Sequence, residues 1–164
     1  MRGLTSDQYQ LIREAAAALQ PSDIVLVRSV FDRPSVEPES DGETVEVEQQ
    51  VMSAVSVQES DDEDARRVLV TLGVRMVEAG TEPANVMFVI EATYGIEYRV
   101  TGKITDEAMK MFASKNSIHN VWPFWRQHVF DIVQRGNLPK VEVPFFTMDW
   151  DETDNSLVAK ASSE

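Results

Sequence analysis

The residue types that most often carry chemistry in proteins are scarce in this sequence. It contains no cysteine and two histidines, His119 and His128. The absence of cysteine excludes disulfides, thiolate nucleophiles and cysteine-ligated zinc together. The two histidines fall on one predicted helix, where their spacing separates them by roughly 13 Å along the axis. They therefore cannot share a metal ion as histidines one helical turn apart do.

Glycine-rich loops and paired carboxylates do not supply a catalytic site either. Gly95 and Gly102 lie within or just after a predicted strand, and neither opens a helix with a lysine, as a phosphate-binding loop does. Carboxylate pairs are numerous, but an acidic chain produces them by chance, and none lies among residues that would desolvate it. The sequence predicts a protein that is not an enzyme and that uses no metal or other cofactor.

The charge of the chain limits its partners. The 164 residues include 28 acidic and 15 basic side chains, which gives a formal net charge of −13. Nucleic acid and anionic membrane surfaces are disfavoured, because both are bound through Lys and Arg. Eleven acids and no basic residue lie between Glu37 and Asp64. That acidic window is either a solvated face or a docking surface for a basic partner.

The hydropathy of the chain indicates a single cytoplasmic domain. Uncharged apolar runs such as Val86–Ile90 are far shorter than the roughly 20 residues that span a bilayer. Residues 1–20 do not resemble a signal peptide, because Asp7, Arg13 and Glu14 interrupt any apolar stretch. We expect one domain over residues 1–150 and a flexible polar tail over residues 151–164.

Periodicity predicts helices around a run of strands. Thr5 and Gln8 form a capping-box pattern for a first helix, which Pro21 ends. Its apolar stripe of Tyr9, Ile12, Ala16 and Leu19 should dock on another part of the protein. Strict alternation then predicts strands, and a three-four rhythm predicts two further helices. The predicted helices are 6–19, 104–113 and 119–135, and the predicted strands are 24–31, 44–57, 68–76 and 86–100.

The predicted strands would form an antiparallel sheet that is too large for one small layer of helices to cover. Short turns join the last three strands, so these should form a meander with one apolar and one polar face. Strands of about thirteen residues exceed the usual five or six. We therefore expect oligomerisation to supply a further layer. The helix 119–135 is apolar on more than one side, which predicts an interface formed by Trp122, Phe124, Trp125, Val129 and Phe130.

Two stretches of the sequence resemble the SecB family of protein-export chaperones. The first contains Trp122-Pro123-Phe124, Arg126, Arg135-Gly136-Asn137-Leu138-Pro139 and Pro144-Phe145-Phe146. The second contains Phe88-Val89-Ile90-Glu91, followed by Gly95 and Gly102. Individually these motifs are weak, but their order and spacing match a sheet followed by a long helix. The resemblance covers about Ile24 to Trp150.

The resemblance implies an α+β subunit with a four-stranded antiparallel sheet and helices on one face, assembled as a dimer of dimers. It implies a holdase that keeps non-native polypeptides unfolded without ATP and passes them to the SecA motor. In the family an acidic sheet surface binds the basic tail of that motor. The matching positions here are Val89, Glu91 and, more loosely, Glu37.

The resemblance also implies an apolar groove for clients between the helical layer, the loop after the first strand and the last segment. The candidate groove residues are Phe31, Val36, Met87, Phe145, Phe146 and Trp150. Two features depart from the family. Residues 147–164 offer no apolar C-terminal helix, and the N-terminal helix has no counterpart. An alternative function on the same fold is a chaperone dedicated to one antitoxin-like partner.

Overall fold

The computed structural model describes residues 4–34, 46–58, 62 and 64–146. Those residues form a four-stranded antiparallel sheet in the order β1-β4-β3-β2, with helices against one face. The elements are α1 (Ser6–Ala18), β1 (Leu19–Asp32), β2 (Val47–Gln58), β3 (Ala65–Glu78), β4 (Val86–Val100), α2 (Asp106–Phe112), a π-helical turn (Ala113–Ser117) and α3 (Ile118–Gly136). The predicted fold class is confirmed, including the added N-terminal helix.

The two faces of the sheet differ as the alternation predicted. On the helix-side face, Ile90 and Ile96 of β4 are fully buried, and they lie opposite Val74 and Val68 of β3. Each buried side chain of this size contributes about 1.5–3 kcal/mol to folding. The opposite face, which we call the outer face, holds the polar residues of the same strands. The core therefore lies between the sheet and α3.

The first strand is longer than predicted. The predicted start at Ile24 is wrong, because β1 begins at Leu19 directly after α1 and runs through Pro21. Proline is tolerated because β1 is an edge strand, where a missing backbone N–H interrupts no ladder on the open side. The pairing of β1 with β4 shifts register between Pro21 and Asp23. The helix therefore ends three residues before the proline that was expected to end it.

The N-terminal helix docks on α2 beside the end of the sheet. The predicted capping box is present: Thr5 Oγ1 accepts from the Gln8 N–H, and Gln8 Oε1 accepts from the Thr5 N–H. The Thr101 N–H donates to the Ala18 carbonyl at 2.8 Å and ties the end of α1 to the chain after β4. The buried residues of α1 are Ile12, Ala15 and Ala18. The prediction that Tyr9 and Ala16 dock is wrong, because both are exposed.

The last two predicted helices are joined into one. The π-helical turn Ala113–Ser117 continues α2 into α3, where the sequence predicted a break. Its last residue, Ser117, is buried and bonds the Tyr98 hydroxyl at 3.1 Å, and Asn120 donates to the same hydroxyl at 2.9 Å. Burial raises the pKa of Tyr98. Gly136 is the last residue of α3. The next residue, Asn137, caps the helix with a left-handed φ of 46°.

Residues 138–146 follow α3 without regular secondary structure. We call this segment the strap. Its apolar residues Leu138, Val141, Val143 and Phe146 are half-buried against the core.

Candidate polypeptide-binding site

A buried glutamine holds the strap to the edge strand β2. Gln49 lies on the helix-side face of β2, opposite Met76, and is 4% exposed. Its Nε2 donates to the Glu142 carbonyl at 2.7 Å, and its Oε1 accepts from the Glu142 N–H at 3.0 Å. One side-chain amide thereby pairs with both backbone groups of one residue, as a neighbouring strand would.

An indole on α3 makes the next contact along the strap. Trp122 Nε1 donates to the Pro144 carbonyl at 2.8 Å. Phe146 then packs on the ring of Trp122 at 5.4 Å and on that of His119 at 5.6 Å, measured between centroids. Gln49 and Trp122 thus bind the backbone of two strap residues, while Phe146 supplies an apolar anchor.

The neighbouring phenylalanine behaves differently. Phe145 is 80% exposed, and the Arg126 guanidinium lies over its ring at 4.4 Å from the centroid. Such a contact at an exposed site contributes about 0.5–1 kcal/mol. Phe145 and Phe146 therefore face opposite surroundings: solvent with a cation for the first, and the α3 aromatics for the second.

The remaining predicted groove residues are not gathered at the strap. Phe31 lies on β1, which is separated from β2 by three strand spacings, or roughly 14 Å. Met87 of β4 is half-buried and packs against the core. Val36 and Trp150 lie outside the described residues. The structure thus places Phe145 and Phe146 together and puts Phe31 at the other edge of the sheet.

Sequence reasoning missed Gln49, although the sequence contains a signal for it. The apolar column of β2 includes Val47, Val51 and Val55, and Gln49 interrupts it. A buried amide costs free energy unless it is hydrogen-bonded, so a polar residue in an apolar column indicates a partner. The sequence could not identify that partner, since Glu142 is 93 positions away.

The outer face carries the residues predicted to contact a motor protein. Val89 is half-buried and lies opposite Asp32 of β1 and Arg75 of β3. Glu91 forms an ion pair with Arg28 at 2.6 Å, and the Glu91 side chain is 18% exposed. Glu37 lies outside the described residues.

Arginines offset the acids of that face. Arg67 and Arg75 stand on the outer face of β3, opposite Glu97 and Val89. The Arg67 guanidinium lies flat above Gly95, where a Cβ would come within 3.3 Å of its terminal nitrogen. Its Nε is buried and has no hydrogen-bond partner among the described residues. The described part of the outer face is therefore of mixed charge.

The other edge of the sheet presents apolar side chains to solvent. Val25, Leu26 and Val27 of β1 are 40–51% exposed. Leu26 lies opposite Tyr94, whose ring contacts Phe124 of α3 at 6.5 Å, and Phe124 is itself 49% exposed. A long apolar edge strand is a ready template for pairing with another chain.

The helix residues predicted at an oligomer interface separate into two sets. Trp122, Trp125 and Val129 are at most 5% exposed and belong to the core of the single chain. Phe124 and Phe130 are about half exposed. Of the five predicted interface residues, Phe124 and Phe130 are therefore the two whose side chains are exposed enough to contact another subunit.

The two histidines have separate partners. His119 contacts Phe146, whereas His128 Nε2 bonds Ser29 Oγ at 3.1 Å and its ring stacks on Trp125. Burial lowers the pKa of His128, and the charge of Asp131 partly opposes that shift. Within the described ranges, no three His, Asp or Glu side chains are grouped closely enough to hold a metal ion.

No helix within residues 4–34, 46–58 and 64–146 combines the length and apolar character that crossing a bilayer requires.

Comparison with solved structures identifies the fold. The SecB-like chaperone Rv1957 of Mycobacterium tuberculosis, solved with a ChAD peptide from the Rv1956 HigA1 antitoxin, superposes with a TM-score of 0.68 at 15% identity, covering 84% of this chain and 97% of that one. A protein of unknown function from Streptococcus agalactiae aligns with a TM-score of 0.43 at 12% identity, over 77% of this chain and 97% of that one. No protein-family model and no curated protein sequence matches. The chain has a SecB-like fold.

Proposed function

We propose that this protein is an ATP-independent holdase that binds extended segments of non-native polypeptides. The observation that carries the proposal is the pairing of Gln49 with the backbone of Glu142, supported by the SecB-like fold. Non-native chains expose both apolar side chains and unpaired backbone. A site that bonds backbone through side-chain amides and accepts apolar side chains beside it meets both needs.

The proposal includes a homo-oligomer, expected as a dimer of dimers. The exposed apolar stretch Val25–Val27 on the β1 edge and the half-exposed Phe124 support it. A second copy that paired there would cover apolar side chains and satisfy the open backbone groups of the edge strand together.

A refolding experiment tests the holdase function. A chemically denatured, slow-folding client is diluted into buffer without nucleotide, with and without an excess of this protein. We expect client activity to return more slowly and light scattering to fall. Unchanged refolding and aggregation across several such clients would reject the holdase.

We further propose that the clients are passed to a SecA-like motor in the cytoplasm, through contact of the motor's basic tail with Val89, Glu91 and Glu37. The position of Val89 and Glu91 on the outer face supports this contact. Titration of the isolated basic tail should show weaker binding to Glu91→Lys than to wild type. Glu97→Lys is the matched control, because Glu97 lies on the same face of β4. Equal loss in both variants, or in neither, would remove Glu91 from a specific contact.

A second candidate is a chaperone dedicated to one antitoxin-like partner. The ion pair of Arg28 with Glu91 favours it, because it partly neutralises the carboxylate that the motor's tail would use. The SecB-like chaperone Rv1957, crystallised with an antitoxin peptide, is a precedent for such a role on this fold. Recovery of a single partner encoded nearby, with no binding to the motor tail, would support this candidate over export.

A further inference from the structure

We infer that Gln49 and Trp122 form a sequence-independent binding site for an extended polypeptide, which the protein's own strap occupies and which a client segment takes over by displacing it. The inference rests on the proposed holdase function and identifies the atoms that would perform it. Its basis is the way in which the strap is bound.

The three hydrogen bonds that Gln49 and Trp122 make to the strap use its backbone groups. Gln49 binds the N–H and the carbonyl of Glu142, and Trp122 binds the carbonyl of Pro144. The Glu142 side chain points away and is 63% exposed. Because no strap side chain takes part in these three bonds, any extended segment could make them, except where a proline removes the N–H.

The apolar contacts impose only a loose pattern. Val141, Val143 and Phe146 are half-buried, while the residues between them are exposed. Phe146 rests on aromatic rings of α3, which accept apolar groups of many shapes. The site therefore favours apolar side chains at two positions separated by one residue and at a third position three residues further on, a loose pattern that many unfolded chains contain.

The strap is bound weakly enough to be exchanged. It belongs to no strand or helix, and its Pro139, Lys140, Glu142, Pro144 and Phe145 are all exposed. Segments with few buried contacts open far more readily than the core. A client that replaces the strap forms the same three hydrogen bonds, so the bonds lost on opening are regained.

Tethering makes the strap a competitor of clients. A covalently linked segment acts at an effective concentration of roughly millimolar. Weakening the strap without altering Gln49 or Trp122 should therefore strengthen binding of a segment added in solution. An increase in affinity for the added segment would show that the strap is a displaceable occupant. If the strap were a fixed part of the binding surface, weakening it would lower that affinity.

The test uses a synthetic peptide of residues 138–146, LPKVEVPFF, labelled for fluorescence anisotropy. We expect Phe146→Ala to bind it about tenfold more tightly than wild type, because that variant removes the anchor of the strap. Lys140→Ala is the matched control, since the Lys140 side chain is 85% exposed and lies beside the exposed Glu142 carboxylate rather than on α3. This control should bind the peptide with an affinity close to that of wild type.

A modified peptide tests the contact with Gln49. N-methylation at the residue corresponding to Glu142 removes the N–H that Gln49 accepts, and should weaken binding to Phe146→Ala about tenfold. Bound unmodified peptide should also accelerate hydrogen exchange of the wild-type protein's own Glu142 amide. Circular dichroism and thermal melting establish that each variant is folded.

Failure of this inference can be separated from failure of the holdase. Equal or weaker peptide binding by Phe146→Ala, or no effect of N-methylation, would overturn the displaceable strap. If wild type still delays client refolding, the holdase function stands and its binding site lies elsewhere. If it does not, the proposed function fails as well.

Discussion

The two edge strands of the sheet present opposite surfaces. At β2, the strap and the π-helical turn lie against the strand, and the buried amide of Gln49 is satisfied within the chain. At β1, three consecutive apolar residues, Val25–Val27, are 40–51% exposed, and Leu26 lies opposite Tyr94, whose ring contacts Phe124.

The difference shows two ways to protect an edge strand. An open edge invites pairing with other chains, so stable proteins cover or charge it. Here the helix-side face of one edge strand is covered by a segment of the same chain, which limits that face to partners that can replace the segment. The other edge exposes apolar side chains that suit a constant partner, such as a second copy. We therefore assign the exchange of the strap for a client to β2, and the assembly of two copies of the protein to β1.

The largest expected effect comes from charging the open edge. Leu26→Lys should dissociate the proposed oligomer, because a lysine head would have to be desolvated in the contact. Two copies of the change across a twofold axis should cost on the order of 4 kcal/mol, roughly a thousandfold in the dimer dissociation constant. Sedimentation velocity measures the assembly.

Met52→Lys is the matched control, since Met52 of β2 is exposed to a similar degree as Leu26. If wild type is monomeric, or if both variants dissociate equally, the assignment of assembly to β1 is contradicted.

A smaller effect is expected from removing the amide at the covered edge. Gln49→Leu keeps the size of the side chain and loses two hydrogen bonds, worth about 1 kcal/mol each. The strap should open more often, and trypsin should cleave after the exposed Lys140 about thirtyfold faster. Mass spectrometry follows that cleavage.

Gln50→Leu serves as the control for that change, because Gln50 bonds Arg75 on the outer face. Cleavage that is unchanged in Gln49→Leu would show that Gln49 does not hold the strap.

Acid should weaken the β1 side of the helical layer. Burial lowers the pKa of His128, so the folded state favours the neutral ring that bonds Ser29. The stability that the neutral ring contributes is therefore fully present above the ordinary histidine pKa of about 6.5 and decreases as the pH falls below it. Urea unfolding at pH 7 and pH 5 should show a smaller difference for His128→Gln than for wild type. An identical difference would exclude His128 as the cause.

The smallest effect is expected on the outer face. Arg28→Ser breaks the ion pair with Glu91 and should lower the free energy of unfolding by about 0.2–1 kcal/mol, because Arg28 is largely exposed. High salt should reduce the difference between variant and wild type. Urea unfolding at two salt concentrations measures both, and a loss above about 2 kcal/mol would mean that the pair is structurally central.

Local sequence signals predicted the helices and strands well where one signal governed the outcome. The alternation of β4 predicted Val86–Val100 with its observed bounds, and the capping box of Thr5 fixed the start of α1. The start of β1 was missed because the ladder with β4 extends the strand past Pro21, and local propensity does not include that pairing. A break was predicted between the last two helices, but Ala113–Ser117 contains neither proline nor glycine. The helix therefore continues through this segment as a π-helical turn.

The candidate site was predictable in part. Phe145 and Phe146 were identified from the resemblance, and the structure places them at the strap. The pairing of Gln49 with Glu142 depends on how the chain returns to β2 after α3, which periodicity does not encode. The ion pair of Glu91 with Arg28 depends on the register shift between Leu26 and Arg28. No local sequence pattern predicts that shift.

The central claim is that non-native chains bind at the β2 edge beneath the strap. Hydrogen exchange of the protein, alone and bound to a permanently unfolded carboxymethylated protein, tests it most directly. We predict slower exchange at the start of β2 and in the first turns of α3, with β1 unchanged. Slower exchange confined to β1 or to the outer face, with β2 and α3 unchanged, would contradict the account.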